Sequence, residues 1–392
     1  MTIKISGGKV VLPQGLAEGM NVYVRDGVIS AVTAEALPFD QEIHAEGRYV
    51  SPGFIEIHSH GAGGKDFLDG TVDAFLTSAE VHARHGVTTL IPTATSGDFE
   101  DTLALDRTLD EANARNLHGA DMPGLHLEGP YFADSQRGAQ DPRYLRDPKP
   151  EEYMRVLDGC RHLMRWSIAP ELPGALELGD ALRSRGILAA IGHSDAEYPQ
   201  CEAAWQHGYT HVTHLYSGMS SVHRRNAYRY VGVVESAYLI DGMTVEIIAD
   251  GRHLPAELLK LIYKIKGAEQ IALITDSMRG AGMPDGPSML GHWKNGLPVI
   301  IEEGVAKLPD RTSFAGSVAT FDRLVRNMRD MAEVPLAKVI EMAAKTPARI
   351  MGLHDRGEIA VGKRADLTIF DEDIHVTHTM VGGRTVYQEG AL

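Results

Sequence analysis

The chain has 392 residues, of which 43 % are hydrophobic and 23 % are charged, so its composition is typical of a globular protein and excludes a disordered or fibrous one. Its formal net charge of −15 argues against broad electrostatic binding to nucleic acid or to acidic membranes. The sequence contains no membrane-length apolar run, no secretory signal and only two cysteines. We therefore expect a cytoplasmic protein with neither nucleic acid nor membrane as a partner.

Both ends of the chain are rich in β-forming residues. Near the start, four runs are predicted as strands: Lys9–Leu12, Met20–Arg25, Val28–Val32 and Glu42–Val50. Near the end, three more β-rich runs are predicted, with turns at Gly362-Lys363 and Gly382-Gly383: Gly357–Ala360, Asp366–Phe370 and Thr377–Gln388. We expect residues 1–51 and 357–392 to form one small, discontinuous β-sandwich domain.

The middle of the chain, residues 52–356, alternates strands with helices. Eight short apolar runs are predicted as strands: Gly53–His58, Val87–Ile91, Pro123–Leu127, Met164–Ala169, Ile187–Ile191, Tyr209–Thr213, Met243–Ala249 and Ile271–Thr275. Helices are predicted between most of them and after them, including Asp73–His85, Thr102–Leu117, Ala175–Arg185, Ala256–Lys266, Thr320–Met331 and Leu336–Ala344. Apolar strands that alternate with helices favour a parallel sheet covered on both faces. Eight such units predict an α/β fold, a TIM-like (β/α)8 barrel.

Polar, mostly ionisable residues follow seven of the eight predicted strands, at the barrel end where active sites lie. His58 and His60 are two residues apart and therefore point to the same face of the first strand. Glu128 follows the third strand, His193 the fifth and His214 the sixth. These nitrogen and oxygen donors predict one or two divalent ions, with zinc preferred and iron, cobalt or manganese as alternatives.

Asp276 follows the eighth strand and is predicted to take a proton from water and to deliver it to a leaving group. His126 shares a strand face with Glu128, and it is either a structural residue or one that orients this carboxylate. Five other histidines fall in helical or connecting segments and are predicted to be structural or solvent-facing: His82, His85, His118, His162 and His207.

Several motifs carry a resemblance to a known family. The run PGFIEIHSHG at residues 52–61 resembles the opening signature of the amidohydrolase superfamily. The later segments HLEGPY, GHS, THLY, ADGRH and ITD, within residues 126–276, together with FAGS at 314–317, resemble the N-acetylglucosamine-6-phosphate deacetylases. This resemblance implies hydrolysis of the N-acetyl group of an N-acetylhexosamine 6-phosphate, giving acetate and an amino-sugar phosphate in amino-sugar metabolism.

The same resemblance implies roles for individual residues. The principal ion would be bound by Glu128, His193 and His214, and a second ion by His58 and His60. Some members of the family lack the HxH pair and use a single ion, so both stoichiometries stay open. Asp276 would be the general base and acid, and His253 would polarise the acetamide carbonyl and bind substrate.

The sequence departs from the family after the THLY segment, where Asn-Ala-Met and then Arg-Glu-Pro-Gly are usual. In the family this loop holds the sugar phosphate, and its arginine crosses from the partner subunit of a homodimer. Arg225 stands at the matching spacing, with Arg224 and Arg229 beside it, and a guanidinium pairs well with phosphate. Ser217 and Gly218 are further predicted substrate-binding residues. The altered loop leaves gluco, galacto and unphosphorylated N-acyl substrates open.

Two other functions compete with this interpretation. A dihydroorotase, a hydantoinase or an N-acyl-amino-acid deacylase commonly bridges two ions with a carboxylated lysine on the fourth strand. The predicted fourth strand, Met164–Ala169, contains no lysine, and Glu128 takes the bridging place instead. A barrel that only senses or stores a sugar phosphate would have no need for Asp276 beside a complete set of metal ligands.

Overall fold

The computed structural model describes residues 1–390 and contains a barrel of eight parallel strands that pair in chain order. We number them one to eight: Phe54–Ser59, Val87–Ala94, Leu125–Glu128, Leu163–Ile168, Leu188–Ile191, Tyr209–Val212, Thr244–Ile248 and Ile271–Ile274. The first and eighth strands meet just beyond the end of the eighth, where the Asp276 N–H donates to the carbonyl oxygen of His58 in the first strand at 2.9 Å. The predicted barrel is therefore confirmed, with strand ends shifted by at most three residues.

Helices surround the barrel because each has one apolar face. In the first of them, the Thr71 side chain accepts the Ala74 N–H at 3.2 Å and so caps the first turn. Phe75, Ala79 and Ala83 follow at intervals of four residues and are all buried. The helices are Val72–Arg84, Phe99–Arg115, Pro150–Gly159, Ala175–Ser184, Tyr198–Gln206, Val233–Leu239, Ala256–Lys266, Phe321–Asp330, Leu336–Ile340 and Thr346–Ile350, with a π-helical turn at Glu341–Lys345.

Two sheets outside the barrel combine both ends of the chain. The six-stranded sheet has the order Arg384–Gln388, Val376–Val381, Leu367–Phe370, Tyr49–Pro52, Lys9–Leu12 and Gly15–Ala17. The four-stranded sheet has the order Val28–Thr33, Asn21–Arg25, Thr2–Ser6 and Gln41–His44. Buried side chains between them, such as Ile5, Val24 and Ile369, form a core separate from that of the barrel. The sandwich-like region is thus present, and the domain limits given above stay a prediction.

Two of the predicted outer strands are wrong as drawn. The run Glu42–Val50 is divided between the two sheets, because Glu46 and Gly47 both have positive φ values, 52° and 81°, and turn the chain. Gly357–Ala360 is not a strand. Gly357 instead lies against the last helix, where a Cβ would come within 2.8 Å of the Ala348 Cβ, and its φ of 91° is incompatible with a continuous strand.

Besides the short pairing of Gly61–Ala62 with Lys65–Asp66, two small sheets near the barrel mouth were not predicted. One has three strands, Gly286–Leu290, Leu297–Glu302 and Val305–Lys307, which are joined in sequence as antiparallel neighbours. The other is a hairpin of His223–Arg225 and Tyr228–Tyr230, and all but one of its strand residues are exposed. Within residues 1–390, none of the helices has the length and apolar character that crossing a membrane requires.

Candidate active site

The carboxyl ends of the barrel strands surround one cavity of ≈ 580 Å³. Its lining includes six of the residues predicted to act in the site, namely His60, Glu128, His193, His214, His253 and Asp276. His58, fully buried, lies behind them. The parallel barrel thus brings together side chains that are up to 218 residues apart in the sequence, as the strand-end argument predicts.

A first group of metal-type donors consists of Glu128, His193 and His214. Glu128 Oε1 lies 3.1 Å from His193 Nε2 and 2.9 Å from His214 Nε2. The Gln136 carbonyl oxygen, 2.8 Å from His193 Nδ1, can only accept a hydrogen bond. In a neutral ring the proton is therefore on Nδ1, and Nε2 presents its lone pair towards Glu128.

A second group consists of His58 and His60, and it shares Glu128 with the first. His60 Nε2 lies 3.3 Å from Glu128 Oε2 and 3.1 Å from Asp276 Oδ1. His58 Nε2 is 3.5 Å from Asp276 Oδ1 and 3.7 Å from Glu128 Oε1. Among the described residues, no group forms a hydrogen bond with His58 Nε2 although this atom is buried.

The electrostatics of the site favour a cation. Burial opposes the ionised forms of Glu128 and Asp276. Nevertheless, His58 and its histidine neighbours hold the pKa of Glu128 well below its usual value. His58 and His60 likewise lower the pKa of Asp276. Burial likewise opposes a charge on His58, but Glu246, Asp276 and Glu128 raise its pKa to about 9. The buried carboxylates therefore require positive charge. A divalent ion would supply it where the lone pairs converge, so the donor set fits one or two such ions.

The backbone at three of these residues is strained. His193, His214 and Asp276 have φ values of 46°, 28° and 49°, in the left-handed region that disfavours residues with a side chain. Each such residue costs about 1 kcal/mol or more. Strain that is concentrated in one cavity is typical of a functional site, because surrounding packing must hold it in place.

His253 lines the cavity and is oriented by its neighbours. Its Nδ1 lies 2.8 Å from Asp250 Oδ2. Burial alone would raise the pKa of the Asp250 carboxyl, but the hydrogen bond to His253 outweighs burial, and the pKa is lowered. The imidazole also packs on Phe314, with ring centroids 4.5 Å apart. These contacts leave Nε2 as the ring nitrogen available to a ligand.

The predicted substrate residues fall into two groups. Ser217 and Gly218 line the cavity. Arg224 and Arg225 lie instead on the exposed hairpin and are not among the cavity-lining residues of their own chain. Arg225 pairs with Glu197 at 2.9 Å and stacks over the Tyr230 ring, 3.8 Å from its centroid.

The other histidines have structural partners. His126 bonds to Ser167 Oγ at 2.8 Å and to Thr93 Oγ1 at 3.2 Å. His126 forms no hydrogen bond with Glu128; the amide of Gln140 instead donates to Glu128 Oε2 at 2.7 Å. His82 is buried between Ser59 and Ser277. Three other histidines pair with carboxylates: His85, His162 and His207. His118 is exposed.

Several residues around the site were missed from the sequence. Lys307 and Arg311, from the unpredicted three-stranded sheet and its following loop, line the cavity. Arg165 and Glu246 form a fully buried ion pair inside the barrel. A single charged residue in the middle of an otherwise apolar strand, as in LMRWSI and TVEII, is the signal that would have found this pair.

The fold and the site define a class of enzyme: hydrolases in which histidines and a carboxylate at the mouth of a (β/α)8 barrel hold catalytic metal. A model of the amidohydrolase family matches residues 49–386. The chain belongs to the N-acetylglucosamine-6-phosphate deacetylase family within the amidohydrolases, as its motifs predict.

Three relatives illustrate this membership. The chain is 32% identical over 385 residues to the N-acetylglucosamine-6-phosphate deacetylase of Lysinibacillus sphaericus, covering 96% of this chain and 95% of the relative. It is 31% identical to the N-acetylgalactosamine-6-phosphate deacetylase of Escherichia coli O157:H7, covering 98% and 99%. A solved variant of the Mycobacterium smegmatis N-acetyl-D-glucosamine-6-phosphate deacetylase, in complex with N-acetyl-D-glucosamine-6-phosphate, superposes with a TM-score of 0.89 at 32% identity, covering 99% of each chain.

Proposed function

We propose that this chain removes the N-acetyl group of an N-acetylhexosamine 6-phosphate by hydrolysis, giving acetate and the amino-sugar phosphate. The preferred substrate is proposed to be N-acetylglucosamine 6-phosphate. The observation that carries the proposal is the convergence of Glu128, four histidines and Asp276 on one cavity. The cavity volume of ≈ 580 Å³ lies within the range of small-molecule sites. Relatives with this activity align over nearly the whole chain.

The metal ligands are proposed to be Glu128, His193 and His214 for one ion, and His58 and His60, sharing Glu128, for a second. Zinc suits this set of imidazoles and one carboxylate best, and iron, cobalt or manganese are alternatives. A bound divalent ion acts as a Lewis acid that polarises an acyl carbonyl and makes water more acidic. Gln140 holds Glu128 Oε2, and the Gln136 carbonyl holds His193, so both ligands are oriented by neighbours.

Asp276 is proposed to act as the general base and then as the general acid. Its lowered pKa keeps the carboxylate ionised at neutral pH, so it can accept a proton from the attacking water. The same group then returns the proton to the departing amide nitrogen, which otherwise would leave as an unstable anion. His253 is held at Nδ1 by Asp250, and with a proton on each ring nitrogen it donates from Nε2 to the acyl oxygen and stabilises the negative charge that develops there.

Phosphate recognition is proposed to combine two sources of positive charge. Arg225, with Arg224 beside it, would cross from the partner subunit of a homodimer. This is supported because both arginines lie on an exposed hairpin and do not line the cavity of the chain that carries them. Lys307 and Arg311 approach the cavity from the same chain. Ser217 and Gly218, also at the cavity, would contact the sugar phosphate.

Two buried free cysteines, Cys160 and Cys201, fit the proposed cytoplasmic location.

The galacto epimer is the second candidate substrate, because a relative named for it is 31% identical to this chain. The test is acetate release by the metal-replete protein from both N-acetylhexosamine 6-phosphates, both unphosphorylated sugars and one N-acetyl amino acid. We expect kcat/KM for one phosphorylated epimer to exceed that for the other about tenfold. Release only from unphosphorylated compounds would refute phosphate recognition, and no release from any compound would refute the proposed reaction.

A further inference from the structure

Glu246 is a fully buried carboxylate on the seventh barrel strand, and the catalytic scheme above does not use it. Its Oε2 accepts from Arg165 and, at 3.3 Å, from His211 Nε2. Its Oε1 accepts three donors: Arg165 Nη2 at 2.8 Å, His58 Nδ1 at 2.7 Å and the His214 backbone N–H at 3.2 Å. Two of the donors on this one oxygen therefore belong to proposed metal ligands.

The contacts of Oε1 go beyond what a structural ion pair needs. Arg165 alone, bound through both of its terminal nitrogens, would balance the charge of the buried carboxylate. The additional bond to His58 decides which ring nitrogen carries the proton, because an ionised carboxylate can only accept. With the proton on Nδ1, the neutral ring presents a lone pair at Nε2, the buried atom without a hydrogen-bond partner in the described chain.

The bond to His214 acts on the backbone of the other donor group. His214 has a φ of 28°, a strained value that requires outside support. Glu246 provides it twice, since its carboxylate accepts the His214 N–H and its own carbonyl oxygen accepts the Leu215 N–H at 2.9 Å. One residue thus touches a ligand from each of the two groups.

We propose that Glu246 is a positioning residue for the metal centre: it fixes the ring of His58 and the backbone of His214, and thereby sets occupancy of the second ion position. This inference rests on the two-ion centre of the proposed function. Arg165 supplies the positive charge that allows the Glu246 carboxylate to remain ionised and buried. Through its hydrogen bonds, this carboxylate then orients His58 and His214. Loss of a group that orients a metal ligand weakens metal affinity by about 10- to 100-fold.

The test compares two double variants that differ only in the acceptor offered to His58. Arg165→Met with Glu246→Met removes the ion pair and the acceptor, whereas Arg165→Met with Glu246→Gln removes the charges but keeps an amide oxygen that can accept the Nδ1 proton. Zinc per chain is measured by elemental analysis after equilibrium dialysis, and the affinity of each ion by calorimetric titration. Circular dichroism and thermal unfolding of the metal-free proteins establish that each variant is folded.

We expect two ions per chain in the wild type and in the glutamine variant, and one ion, with the second bound 10- to 100-fold more weakly, in the methionine variant. Glu246→Asp, which keeps the charge but is one methylene too short to reach His58, should also lose the second ion, and it serves if the methionine variant does not fold. His211→Gln, which changes contacts to Glu246 Oε2 and Thr244 Oγ1 but none to a proposed metal ligand, should keep both ions.

Two bound ions of native affinity in the methionine variant would overturn the inference, and so would loss of the second ion from both double variants, since charge alone would then explain the effect. A wild type that binds fewer than two ions would overturn the two-ion centre and this inference together. Acetate release by that wild type reports separately on the proposed reaction, so the two failures are distinguishable.

Discussion

Gly218 occupies a position where the chain passes very close to a proposed metal ligand. Its φ is 56°, and a Cβ built on its backbone would lie 2.7 Å from His193 Nδ1 and 2.8 Å from the Gln136 carbonyl oxygen. These two atoms are joined by the 2.8 Å hydrogen bond that orients the His193 ring. Gly218→Ala therefore places a methyl group against both ends of this bond.

The expected effect can be worked out from these distances. An ordinary contact begins at about 3.4 Å, so the imidazole must withdraw by roughly 0.7 Å or lose its bond to Gln136. The left-handed φ adds about 1 kcal/mol of backbone strain, and the weakened hydrogen bond about 1 kcal/mol more. A misplacement approaching 1 Å lowers rates on the order of 100-fold, so we expect a loss of that size in kcat/KM.

The assay is acetate release from the preferred sugar phosphate, with urea unfolding to measure the free energy of unfolding. Gly186→Ala is the matched control, because Gly186 has a similar φ of 69° but nothing within 4 Å of its Cβ position. The control should lose about 1 kcal/mol of stability and no activity. If Gly218→Ala retains kcat/KM within twofold of this control, the close approach does not position His193.

Three further predictions concern the chemistry, the phosphate and the metal. Asp276→Asn should lower kcat at least 100-fold while metal content, measured by elemental analysis, is unchanged; wild-type turnover would contradict its role as base. Arg225→Ala should raise KM about tenfold for phosphorylated sugars only. An equal rise for unphosphorylated sugars would show that Arg225 does not bind the phosphate. Arg311→Ala, assayed in parallel, measures how much the same chain contributes to phosphate binding. Treatment with a chelator should abolish acetate release and lower Tm, and zinc should restore both; full activity after verified removal of metal would refute a metal-dependent reaction.

The barrel could be predicted because its evidence is repeated along the chain. Eight apolar runs of similar length, separated by helical segments, admit few other arrangements. The outer sheets were less predictable because their strands pair over long distances. The break within Glu42–Val50 depends on two residues with positive φ, Glu46 and Gly47, and Glu46 is not a residue type that marks such a turn. The missed strands Leu297–Glu302 and Val305–Lys307 are joined by Glu303-Gly304, a tight turn that could have been recognised.

The convergence of the proposed metal donors could be predicted because parallel strands carry their ends to one place, whatever lies between them in sequence. The contacts behind the donors could not be predicted in this way. Gln140 reaches Glu128 from a loop, and Arg165 meets Glu246 across the barrel interior, so both contacts depend on side-chain packing that no local pattern encodes. In the proposed homodimer, the position of Arg225 relative to a phosphate would depend on a second chain, which a single sequence does not contain.

The strand Tyr49–Pro52 has an implication for how this protein is made. It pairs on one side with Lys9–Leu12 and on the other with Leu367–Phe370, more than 300 residues later. During synthesis the first pairing can form early, but the other edge stays open until nearly the whole barrel has left the ribosome. An open strand edge is a template for pairing with other nascent chains. Translation that stops before residue 367 should therefore yield an aggregation-prone product rather than an inactive but soluble barrel, and chaperones should be needed most in that late interval.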